Sequence, residues 1–155
     1  MVRPSVADWF AGNVLEYVDG YRNRPDASFP FHDHPCHEIV YHPQGRGKTT
    51  LQDGREIPFE QGGVVFYKPF DRHSQTVSTP ALDVVIQFTG KNLPPPMQVS
   101  RGFRPFPQHW VNDTMMELSR RAHKLPREER LLLNHRVSTL VMALFTLGES
   151  YEQTR

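Results

Sequence analysis

The sequence predicts a mainly β protein, an antiparallel sandwich or barrel of short strands, followed by two C-terminal α-helices. Three observations carry that prediction. From about Asn13 to Phe88, short apolar runs alternate with turn signals at close spacing, the rhythm of an all-β domain. The stretch from Gly90 to Pro107 then interrupts it, because Pro94, Pro95 and Pro96 fit neither a central strand nor a helix interior. Beyond Asn112 the apolar residues recur every three or four positions, the period of a helix with one buried face.

The elements follow in order. Val14 to Val18 opens the β part, and Asp19-Gly20 and Pro25-Asp26 punctuate it. A strand is expected from His37 to His42, a turn at Pro43-Gln44-Gly45, and a further strand from Gly47 to Gln52. Asp53-Gly54 is a strong two-residue hairpin signal ahead of Arg55 to Phe59. Gly62-Gly63 turns the chain into Val64 to Tyr67, the run from His73 to Val77 resumes after Pro69, and Asp83 to Phe88 is the last strand. Asn112 is expected to cap a helix through Leu125, with Met115, Leu118, Ala122 and Leu125 on one face. Pro126 suits the first turn of a second helix, Glu128 and Glu129 favour its positive end, and Gly148 closes it. In that helix Leu133, Val137, Leu140, Leu144 and Leu147 form an apolar seam that either covers the barrel or first helix or meets a second copy. Leu132, Val141 and Phe145 widen the stripe so that both uses are compatible.

Composition narrows the class. A chain of 155 residues fits one domain, and 18 Lys+Arg against 17 Asp+Glu argue against a basic nucleic-acid-binding surface. Arg120, Arg121 and Lys124 read as a solvated helix face. Cys36 is the single cysteine and forms no internal disulfide. The segment Met1 to Phe10, with Arg3, Pro4 and Asp8, lacks the apolar run of a signal peptide. The longest charge-free stretch, Val137 to Gly148, is far below the ~18 apolar residues of a membrane span. A soluble, cytoplasmic protein without a membrane partner is the expectation. No nucleophile-base pair, phosphate-cradling glycine loop or Cys-x-x-Cys motif occurs, so an enzyme of those kinds is not expected.

The chemically informative stretch runs from Phe31 to Val40. In a strand, alternate side chains share a face, so His32, His34 and Glu38 are expected to point inward together while His37 points the other way. Two imidazoles and a carboxylate on one wall, completed by His73 from a neighbouring strand, suit a first-row divalent metal. The same groups also make a satisfactory internal polar network without any metal. A sugar-like ligand needs hydrogen-bonding groups beside aromatic faces. Candidates are His32, His34, Glu38, His73, Arg46, Lys48 and Gln87, with Tyr41 or Tyr67 as the aromatic. For Arg46 and Lys48, a place on the solvent face is the competing role.

His32-x-His34, Glu38 and Gly45 match the first motif of the cupin superfamily, although its leading glycine is Asp26 here. Gly63, Pro69 and His73 look like the second motif, one residue short before the histidine and without the following asparagine. The resemblance implies a cupin double-stranded β-helix, or jelly-roll, barrel. The order of further motifs narrows it: Gly45-Arg46-Gly47, then Asp53-Gly54-Arg55 with Pro58, then Gly62, Gly63, Pro69, Asp71 and His73. In that order they resemble the N-terminal ligand-binding and dimerisation domain of AraC-family transcription regulators. His34 to Val40 and Asp71-Arg72-His73 are locally most similar to the rhamnose-responsive members.

The resemblance implies an effector-binding barrel with N-terminal arm and connector over residues 1–107, and a two-helix dimerisation segment over 108–150. A small-molecule effector, expected to be a sugar, would occupy the barrel. The chain would form a homodimer through the C-terminal helices and reach DNA only through a domain this chain lacks. Trp9 and Phe10 would belong to an arm that folds over the ligand or plugs one end of the barrel, and Phe103, Phe106 and Trp110 would glue the connector to the barrel. No cofactor is obligatory in this reading. The alternative is a free-standing metal-dependent cupin enzyme, an isomerase or dioxygenase, holding Zn, Ni, Mn or Fe through His32, His34, Glu38 and His73.

Overall fold

A computed structural model of the chain describes residues 5–25 and 28–151. Arg3, Pro4 and Asp26, and with Asp26 the second half of the expected Pro25-Asp26 turn, lie outside the described residues. The strands are β1 Glu16–Asn23, β2 Ser28–His32, β3 His37–Gln44, β4 Gly47–Leu51, β5 Glu56–Phe59, β6 Val64–Tyr67, β7 His73–Val77, β8 Leu82–Thr89 and β9 Arg101–Phe103. The helices are α1 Val6–Gly12, α2 His109–Glu117 and α3 Arg127–Leu147. The pairings between named strands are antiparallel and form two sheets, β1-β8-β3-β6-β9 and β2-β7-β4-β5, the arrangement of a jelly-roll barrel with C-terminal helices.

The period-2 alternation of β3, β6 and β8 sorts their side chains onto two faces. Ile39, Tyr41, Val64, Phe66, Val84, Ile86 and Phe88 face outward into the larger core, where the helices cover them. Val40, Val65, Tyr67 and Val85 face inward and meet Leu51, Ile57, Phe59 and Val77 in a smaller core. Each fully buried large apolar side chain stabilises the fold by roughly 1.5–3 kcal/mol, so the outer core carries most of the apolar burial.

The seam of α3 is spent inward: Leu133, Val137, Leu140 and Leu144 are all in the outer core. Val141 joins them, and Phe145 packs edge-on against Phe66 and Phe103, so neither widens an outward stripe. What α3 leaves exposed is Leu131, Leu132 and, at its end, Leu147. The helix also caps the edge strand β1, whose neighbouring amides donate to it: Leu15 N–H to Ser138 Oγ at 2.8 Å and Tyr17 N–H to Asn134 Oδ1 at 2.7 Å.

Several expectations are corrected. Asp19-Gly20 is not a turn. β1 runs through it with a bulge between Tyr17 and Asp19, and Gly20 is needed for close approach, since a Cβ there would sit 2.2 Å from the Leu118 carbonyl oxygen. The expected helix from Asn112 to Leu125 is instead α2, starting at His109 and ending at Glu117, then a separate 3-10 turn at Ala122–Lys124. Its end is fixed by β1: the Tyr17 hydroxyl bonds the Leu118 and Arg120 carbonyls, and Asp19 accepts the Ala122 N–H at 2.9 Å. The connector contributes the edge strand β9, paired with β6. Trp9 neither plugs the barrel nor lies against its cavity. It is buried in the outer core, its indole N–H donating to the Lys91 carbonyl at 3.0 Å.

Candidate functional site

The polar residues that sequence placed on one strand come from two. β2 ends at His32 in the four-stranded sheet, β3 begins at His37 in the five-stranded sheet, and Asp33 to Cys36 crosses between them with Pro35 breaking the alternation. His32, His34 and Glu38 therefore converge by the crossover rather than by shared strand parity. His37 does point the other way, between Phe66 and Phe88, stacked 5.4 Å from the latter ring.

His32 and His73 are direct cross-strand partners of β2 and β7, with ring centroids 4.4 Å apart. His34 is held beside them by the Phe70 N–H, which donates to its carbonyl at 2.8 Å. Ring nitrogens of the three imidazoles lie within 4.8 Å of one another. His32 Nδ1 lies 2.9 Å from the Pro30 carbonyl and His73 Nδ1 lies 2.7 Å from the Asp71 carbonyl. A carbonyl only accepts, so both nitrogens carry the proton, and a neutral ring then presents a bare Nε2. Burial pushes the His73 imidazolium down to about 4, and burial first, then the His32 ring, pushes His34 down as well.

Glu38 faces this cluster from β3. Its Oε2 is 3.2 Å from His34 Nε2 and accepts the Gln87 amide at 2.9 Å. Burial raises the Glu38 carboxyl to about 7, against the lowering effect of the Gln87 hydrogen bond. Further in, Asp83 accepts from His42 Nδ1 at 2.9 Å and from the Gln75 amide at 2.8 Å, all three buried. Tyr67 stacks on His73 at 3.8 Å and its hydroxyl shares a 2.5 Å hydrogen bond with Thr49. Between the sheets lies a cavity of about 60 Å³ whose wall includes His32, Glu38, Tyr67, His73, Gln75 and Asp83. Tyr21, Asn23 and Phe29 also line it.

Of the expected ligand residues, His32, His34, Glu38, His73 and Gln87 come together here. Arg46 does not: it is exposed in the turn after Gly45, beyond the end of β3 opposite to Glu38. Lys48 is also outside, paired with Glu56 at 3.1 Å. Tyr41 belongs to the outer core, its odd position on β3 turning it away from Glu38. Sequence reading missed Gln75 and Asp83, although each shares strand parity with a residue it did select, His73 and Gln87.

The donor set fits a divalent metal at the three imidazoles, because two of them have the backbone-anchored Nδ1–H that aims Nε2 as a ligand. Glu38 stands outside that group, engaged by His34 and Gln87.

A jelly-roll barrel with a polar interior cavity defines a small-molecule-binding module of cupin type. Residues 17–147 match the family model of the AraC-like ligand binding domain, and the chain belongs to that family. A comparison with curated proteins found no match. Among solved structures, the chain is similar to a Neisseria meningitidis protein at 12% identity and TM-score 0.43, over 48% of this chain and 83% of that one. It is similar to the DMSP lyase DddQ from Ruegeria pomeroyi at 18% identity and TM-score 0.39, over 46% of this chain and 36% of that one. ToxT from Vibrio cholerae matches at 13% identity and TM-score 0.39, over 51% of this chain and 32% of that one. The chain thus spans about a third of the length of the last two. No helix among the described residues is long and apolar enough to cross a membrane.

Proposed function

We propose that this chain is the effector-sensing part of a transcription regulator and binds a small molecule, a sugar of the kind the rhamnose-responsive resemblance implies, in the barrel cavity. The observation that supports this best is the cavity itself: in a ligand-binding family, His32, Glu38, His73, Gln75 and Asp83 gather polar groups inside a barrel whose stability is supplied elsewhere. In this reading residues 1–107 sense and residues 108–150 dimerise, the exposed Leu131 and Leu132 of α3 meeting a second copy, and DNA is reached through a further domain. An effector shifts the assembly only by binding one arrangement better than another. A cavity of about 60 Å³ holds a few waters, so a sugar ring enters with rearrangement of the wall. The test is calorimetry with a panel of monosaccharides beside sedimentation of the same samples. Binding with a change in dimerisation is expected. A protein that stays monomeric and heat-silent with every sugar sinks the reading.

The anchored imidazoles favour a second reading, a metal-dependent cupin enzyme. In it His32, His34 and His73 hold Zn, Ni, Mn or Fe, which would supply Lewis-acid or oxygen-activating chemistry. Elemental analysis separates the two: protein that neither carries metal nor gains it on incubation ends the second reading.

A further inference from the structure

The cavity has a charge and hydrogen-bond character that the family assignment does not specify. Two of its lining residues carry carboxyl groups, Glu38 and Asp83, and no lysine or arginine lines it among the described residues. Arg121, over the ring of the lining Tyr21 at 4.9 Å, is paired with Asp19 at 3.1 Å.

Several of the donors around the cavity are already engaged by the protein's own acceptors. The Gln75 amide is given to Asp83, the Gln87 amide to Glu38, and the Tyr67 hydroxyl is shared with Thr49. His32 and His73 have turned their N–H groups to backbone carbonyls. The wall also offers acceptors, the Nε2 lone pairs of His32 and His73 and the carboxyl oxygens of Glu38 and Asp83, beside the Tyr21 hydroxyl and the Asn23 amide. A carboxylate or phosphate would enter with no cationic side chain in the wall to meet its charge, and its oxygens would crowd against the Glu38 and Asp83 carboxyl oxygens. A molecule bearing hydroxyl or amine hydrogens completes those same acceptors.

We propose that the cavity selects small, donor-rich effectors that are neutral or cationic, polyols or amines, and rejects carboxylates and phosphates. This rests on the effector reading above and narrows it. The experiment uses the chelator-treated, nitrogen-15-labelled chain titrated with erythritol, serinol, glycerate and glycerol phosphate, followed by amide shifts across Glu38, Gln75 and Gln87. Erythritol or serinol is expected to bind at least tenfold more tightly than either anion, and Glu38→Gln is expected to bring glycerate at least tenfold closer. Since Glu38→Gln removes a charge from a packed site, its amide spectrum is first checked for a native fold, and Asp83→Asn serves as the second variant. Either anion binding at these residues as tightly as erythritol overturns the charge selection while leaving the effector reading standing. If no probe moves the cavity amides, the selection for small donor-rich molecules is overturned, and the effector reading is decided separately by the monosaccharide panel.

Discussion

The two faces of β3 are neighbours in sequence and opposites in physics. Outward, Ile39 and Tyr41 join Phe66, Ile86, Phe88 and the α3 seam in an apolar mass with His37 as its one imidazole partner on that strand. Inward, Glu38 and Val40 meet Gln75, Asp83 and His73 around a cavity, and His42 bonds Asp83. In an ordinary barrel the interior is the core. Here the helices have moved most of the apolar burial outside, which leaves the interior free to be polar and partly empty. Stability and recognition are thereby assigned to opposite sides of one sheet.

That division is breakable. Leu140→Ala on the outer side is expected to cost about 3–5 kcal/mol, because a fully buried leucine held between helix and sheet leaves a cavity that rigid neighbours cannot fill. Val84→Ala and Val85→Ala sharpen it, being the same substitution on adjacent residues that face outward and inward. Val85 lines existing free space, so its loss should be the smaller by about 1 kcal/mol in urea denaturation. Equal costs would mean that the interior is as tightly packed as the exterior.

The next effect is a pH dependence from the outer face. Burial pushes His37 from 6.5 down to about 4. The unfolded chain therefore binds a proton that the folded chain refuses, and stability present above pH 6.5 is lost as pH falls toward 4. The loss from this residue is about 3 kcal/mol at most. His37→Phe should keep the apolar packing and flatten that part of the stability curve. An unchanged slope in the variant would show that His37 is not the group responsible.

Smaller still is Asp83→Asn. The carboxylate accepts two hydrogen bonds, from His42 and Gln75, and an amide can accept only one of them. One buried donor is left unpaired, at about 1–3 kcal/mol. Loss of the network should leave the outer core untouched, so hydrogen exchange ought to quicken in β7 and β8 and not in α3. Uniform quickening would tie the two faces into one cooperative unit.

Much of this arrangement was legible from sequence. Alternation and turn residues located β3 to β8, since Gly54 and Gly62 do occupy positive φ. The histidine cluster was legible too, though for a mistaken reason: parity within a single strand instead of a crossover at Pro35. Helix α1 was missed although Ser5 and Asp8 form a capping box that four residues of sequence display. Asp19-Gly20 misled because a turn dipeptide and a glycine needed for close packing look identical until the partner, Leu118, is known. The end of α2 had the same cause, since it is set by Tyr17 and Asp19 from far along the chain. What local pattern could not carry was contact between distant segments.

The least of the expected effects tests the inside-outside distinction most directly. Arg46 sits in a G-x-G turn that the family resemblance made conspicuous, and its charge would suit an anionic or sugar ligand. Its side chain is exposed, and what holds the turn is backbone: the Arg46 N–H donates to Ser78 Oγ at 3.0 Å, and the Ser78 N–H returns to the Arg46 carbonyl at 2.8 Å. Those bonds survive in Arg46→Ala, so stability should move by less than about 0.5 kcal/mol. Effector affinity should not move at all, because the cavity wall is built from the opposite end of β3. A fall in affinity for the same ligand that Glu38→Gln affects would place Arg46 on the recognition side and erase the boundary drawn between the two.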